Sequence, residues 1–134
     1  GHVTTAETKA GWLEPPLSAG TARDRVRELL LTCDPAPPPR VVDDILLVVT
    51  ELVTNAGRHG GGLIAFDARL AEDTITISVT DASPVVPHTH ARDRAGAPGG
   101  FGWPLIQLLS DEVRVRTTAA GKTIGAVLRT TAHG

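Results

Sequence analysis

Residues 41–62 read VVDDILLVVTELVTNAGRHGGG, and they decide the fold because their apolar residues repeat with the period of a helix. Val41, Ile45, Val48 and Leu52 fall at i, i+4, i+7 and i+11, and Val42, Val49, Val53 and Ala56 lay a second apolar row beside them. Apolar surface of that width predicts a deeply buried helix. Glu51 and Asn55 stand four residues apart near its end and share one face, so a carboxylate and an amide oxygen point at one spot. That spot is a candidate reaction centre. The solvated side of an amphipathic helix would carry the same two residues, and this helix alone does not separate the readings. Arg58, His59 and the glycines that follow end it, with cations at the negative helix terminus and residues free to take positive φ.

Upstream, Thr21-Ala-Arg-Asp24 has the spacing of a capping box with Asp in place of Glu, and Ala22, Val26, Leu29 and Leu30 supply an apolar face. A first helix ending near Thr32 is expected. The prolines from Pro35 to Pro39 cannot continue it, so the central helix is expected to begin at about Arg40. Residues 1–20 read as an extended lead-in or edge strand, leaving 21–134 as one domain.

Downstream, Ile64, Phe66, Ala68 and Leu70 alternate with polar partners, and Ile75, Ile77 and Val79 do so again after a turn. Two antiparallel strands follow. Asp81 shares the parity of Ile75, Ile77 and Val79, which aims a carboxylate at the apolar side of the sheet, although a turn-capping Asp would occupy the same position. Pro84–Gly100 shows no periodicity and reads as a long loop able to close as a lid. From Gly99-Gly-Phe-Gly102 the chain enters a third helix, with Pro104 in its first turn and Leu105, Ile106, Leu108 and Leu109 expected to face the core. Val113, Val115 and Thr117, then Ile124, Ala126 and Leu128, close the sheet. The order α-α-β-β-loop-α-β-β predicts an α+β two-layer sandwich, a mostly antiparallel mixed sheet with about three helices on one face.

The bulk numbers exclude several classes of function. The chain has 134 residues and net charge -2, and eleven of its thirteen basic residues are scattered arginines, so nucleic acid is not the expected partner. A lone cysteine, Cys33, rules out an intrachain disulfide framework. With no apolar run long enough to span a membrane and no signal-peptide pattern, the expected location is the cytoplasm. Gly121-Lys-Thr123 ends like a P-loop, but Arg116 stands where the first glycine is required. His59, His88 and His90 could join Glu51 around zinc, yet no HExxH spacing exists.

Four stretches in order carry a resemblance. Glu51-Leu-Val-Thr-Asn55-Ala with His59-Gly is similar to the N box of the GHKL (Bergerat-fold) ATPase superfamily, and Val79-Thr-Asp81-Ala-Ser83-Pro to its first glycine box. Gly99-Gly-Phe-Gly102 is similar to its second, and Gly121-Lys-Thr123 to its final hairpin. The chain most resembles the anti-sigma-factor serine kinases of actinobacteria. That resemblance implies ATP and Mg2+ as cofactors, with Glu51 as the catalytic base and Asn55 as the metal ligand. It also implies Asp81 at the adenine amino group, Gly99, Gly100 and Gly102 at the phosphates, and His59 and Thr123 nearby. The implied activity is transfer of the terminal phosphate of ATP to a Ser or Thr of an antagonist protein. A sigma factor or its antagonist would be the partner, and a homodimer is compatible with it. Ser83 and Phe101 depart from the family pattern, which keeps open a module that sequesters its partner without phosphotransfer.

Overall fold

Ser18 caps the first helix, α1 (Ala19–Leu30), by accepting a hydrogen bond from the Thr21 amide at 3.0 Å. The cap thus falls three residues before the expected Thr21, whose hydroxyl instead accepts from that of Ser18 at 2.9 Å. This computed structural model describes residues 18–58, 62–83 and 102–131. Most of the lead-in and the loop expected to act as a lid lie outside the described residues, as do His59, Gly99 and Gly100.

The central helix α2 spans Pro39–Arg58, with Pro39 in the first turn, where its missing amide hydrogen costs nothing. Ile45, Val48, Val49 and Leu52 are at most 1% exposed, as the double apolar row predicts. On one flank they meet Ala22, Val26 and Leu30 of α1, and on the other Ile106 of α3 (Gly102–Leu109). With eight residues, α3 is too short to be stable alone and depends on what it buries. Ile106 is fully buried, with Trp103 and Leu109, three residues to either side, packed partly buried against the same core. Leu108, expected to face inward, is 77% exposed. A single i±3 stripe serves so short a helix, and Leu108 lies off it.

Four strands form one sheet in the order β1-β2-β4-β3: β1 (Leu63–Leu70), β2 (Thr74–Asp81), β3 (Glu112–Thr118) and β4 (Gly121–Arg129). Every pairing among them is antiparallel, so the described sheet contains no parallel pair. The inward residues Phe66, Ala68, Ile75, Ile77, Val79, Ile124, Ala126 and Leu128 are at most 3% exposed and pack with the buried face of α2. Ile64 breaks the expected alternation. The register shifts between Leu63 and Ala65, so Ile64 is an extra residue in the ladder and is 45% exposed. The result is the α+β sandwich expected from the order of elements, with the helices on one face.

Candidate functional site

Two chain exits meet at the C-terminal end of α2. Gly62, at φ +119°, donates its amide to the Ala56 carbonyl at 3.0 Å, and its own carbonyl accepts from the Ala82 amide at 3.2 Å. Positive φ is the conformation a side chain resists, so glycine suits this clasp. It fastens the end of the helix that carries Glu51 and Asn55 to the end of the strand that carries Asp81.

Asn55 is buried, and its side-chain amide has no hydrogen-bond partner among the described residues. Among the described residues the buried polar atoms without a partner are Asp67 Oδ1 and Ser110 Oγ and not those of Asn55, so its amide reaches the surface, where a ligand could meet it. Glu51, one turn earlier, is half-buried and likewise unpaired among the described residues. Among those residues no group of three or more His, Cys, Asp and Glu could cage a metal ion.

Asp81 faces inward, as its parity predicts, and is 3% exposed. Its Oδ1 accepts from the Ser83 amide at 2.9 Å and from Lys122 Nζ at 3.0 Å, and its Oδ2 accepts from Lys122 Nζ at 2.8 Å. The Ser83 contact is the turn-type bond of an Asp at a strand exit, so the inward and turn-capping readings both hold. Lys122 is the partner of Asp81 that the reading of the sequence missed. Counting back by twos from Leu128, Ala126 and Ile124 reaches Lys122, which places it on the core face opposite Asp81.

The same pleat sends Thr123 to the other face of the sheet, where its hydroxyl shares a 2.8 Å hydrogen bond with that of Thr80. Gly121 is needed for a different reason: a Cβ there would overlap the Asp81 carbonyl oxygen. Gly121→Ala should push β4 away from β2 and lower stability by about 1–3 kcal/mol, the usual cost of forcing extra volume into a packed site. Urea denaturation reads this directly, and an undiminished midpoint would mean that the strands part freely. Cys33 stands apart from the site, half-buried and with its thiol pKa raised by burial.

A family model described as the histidine kinase-like ATPase domain matches residues 14–128. None of the curated proteins matches the chain. Among solved structures, the histidine kinase domain of the Erythrobacter litoralis EL346 blue-light activated histidine kinase is 19% identical, with a TM-score of 0.50 over 69% of this chain and 46% of that one. A second structure of the Erythrobacter litoralis EL346 blue-light activated histidine kinase is 20% identical, with a TM-score of 0.52 over 71% of this chain and 32% of that one. The chain thus spans less than half the length of either structure, and at such identity the likeness is one of fold. The matched residues, 115 of 134 when 14–128 is counted inclusively, cover most of the sequence. This chain belongs to the family of histidine kinase-like ATPase domains, the ATP-binding domains of GHKL type.

Proposed function

We propose that this domain binds Mg-ATP and passes the terminal phosphate to a Ser or Thr hydroxyl of a protein antagonist, as in the anti-sigma-factor kinases that its motifs resemble. The observation that carries this reading is the clasp that sets a buried carboxylate, Asp81, at the same end of the molecule as Asn55 and Glu51, which have no partner among the described residues. Asp81 accepts from the exocyclic amino group of adenine, which a carboxylate can do and a hydrophobic wall cannot. Asn55 offers its oxygen to Mg2+, whose charge would offset that of the phosphates. Glu51 takes the proton of the incoming hydroxyl as its oxygen bonds to the γ-phosphorus, while the bond to the β,γ-bridging oxygen breaks and ADP departs.

A second reading has its own support. Lys122 already holds both oxygens of Asp81, an arrangement that a partner-binding module without turnover could keep as a structural ion pair. Calorimetry separates the two. The kinase reading expects ATP to bind at least tenfold more tightly than GTP, since one unmatched buried hydrogen bond costs about that factor. Asn55→Ala should remove the Mg2+ dependence of that binding. Equal affinity for the two nucleotides would sink the adenine assignment. Nucleotide binding without transfer to any candidate partner would favour sequestration.

A further inference from the structure

Lys122 is the only buried basic side chain among the described residues. It lies directly opposite Asp81 in the β2–β4 ladder, and the side chains of both are 4% exposed. An ammonium has three N–H groups. Those of Lys122 have three acceptors within reach: Asp81 Oδ1 at 3.0 Å, Asp81 Oδ2 at 2.8 Å and the Ser83 carbonyl at 3.3 Å. No donor remains to meet a base directly.

The acceptor side of the pair is equally constrained. A carboxylate oxygen takes about two hydrogen bonds. Oδ1 has both, from the Ser83 amide and from Lys122, whereas Oδ2 has Lys122 alone. One acceptor position is therefore left, on Oδ2.

We propose that Lys122 is a positioning residue for base selection, which fixes the Asp81 carboxylate so that a single acceptor on Oδ2 admits a 6-amino purine and refuses a 6-oxo purine. The proposal rests on the reading of Asp81 as the adenine acceptor. Held this way, the carboxylate cannot turn its saturated oxygen toward the ligand. A 6-oxo group would bring a second acceptor against Oδ2 with no proton between them.

The test measures ATP and inosine triphosphate, which differ at position 6, by calorimetry on the full chain. Lys122→Met keeps the length of the aliphatic stem and removes the ammonium. It should weaken ATP about tenfold, the loss that goes with weakening one hydrogen bond to a charged group, and should leave inosine triphosphate unchanged or tighter. The preference between the two thus falls by tenfold or more. An equal loss for both nucleotides would mark Lys122 as merely structural and overturn the proposal.

The pair Asp81→Asn and Asp81→Asn/Lys122→Met decides the matter even if the single Lys122 variant does not fold. Because Lys122 works through Asp81, both should show the same preference. A difference between them would mean that Lys122 touches the base itself, and the proposal would fall. A parent protein that binds the two nucleotides alike would instead refute the adenine reading. A preference lost in Asp81→Asn but kept in Lys122→Met would refute the role of Lys122 alone.

Discussion

Glu51→Ala is expected to leave the Kd for Mg-ATP nearly unchanged and to lower phosphotransfer by roughly 10²–10⁴, the span associated with losing a general base. Glu51 is half-buried on α2, one turn before Asn55, and unpaired among the described residues, so no structural bond is lost with it. Stability should accordingly move little, within about 0.5 kcal/mol, as for a side chain that holds nothing in place. Glu51→Gln keeps the size and the hydrogen bonding but not the basicity, and should be as slow as the alanine variant. Single-turnover transfer to the antagonist, measured at saturating ATP, isolates the chemical step. A glutamine variant that retains full rate would remove Glu51 from proton transfer, and a large loss of ATP affinity would make it a binding residue instead.

Asp81→Ala should cost about 3–5 kcal/mol of folding stability, because it strands the Lys122 ammonium in a site where each member of the pair is 4% exposed. Breaking a buried pair is expensive for the partner left behind, not because the pair itself contributes much. Replacing both members, as in Asp81→Leu/Lys122→Met, should therefore recover most of the loss and could exceed the parent in stability, while ATP binding stays lost. Chemical denaturation of the parent, Asp81→Leu, Lys122→Met and the double variant forms the cycle that measures the coupling. If the single and double variants were equally unstable, the loss would come from packing and not from the stranded charge. Stability and nucleotide binding should thus part company at this pair, an outcome that a purely structural ion pair would not give.

What could be read from the sequence was whatever a single period decides. The double apolar row of α2 fixed a buried helix, and period-2 counting sent Phe66, Ile75, Ile77, Val79 and Asp81 inward, where they are found. The same rule extended two residues back from Ile124 reaches Lys122, so this half of the site was legible in principle. It was obscured because a lysine is seldom expected inside without a partner, and the partner lies forty-one residues away in the chain. Ile64 and Leu108 were misplaced for another reason. Register shifts and the lean of a short helix depend on neighbours that periodicity does not see, namely the bulge against Asp81 and Thr80 and the single stripe around Ile106. The start of α1 moved to Ser18 because two residues with similar capping chemistry, Ser18 and Thr21, stand three apart, and only the backbone decides between them. The clasp at Gly62 left no pattern at all beyond a run of glycines.

The strand made last among the four, β4, lies between β2 and β3, and neither of those two pairs with the other. During synthesis the ribosome therefore delivers β1, β2, α3 and β3 before the one strand able to join them. The hairpin of β1 and β2 can close early, since its partners are neighbours in the chain, but β3 has nowhere to attach until β4 arrives. Asp81 emerges well before Lys122, so the carboxylate stays in water, hydrated and uncommitted, until the final hairpin docks. Formation of the buried Asp81–Lys122 pair and completion of the sheet are then one event, and a half-made chain holds neither.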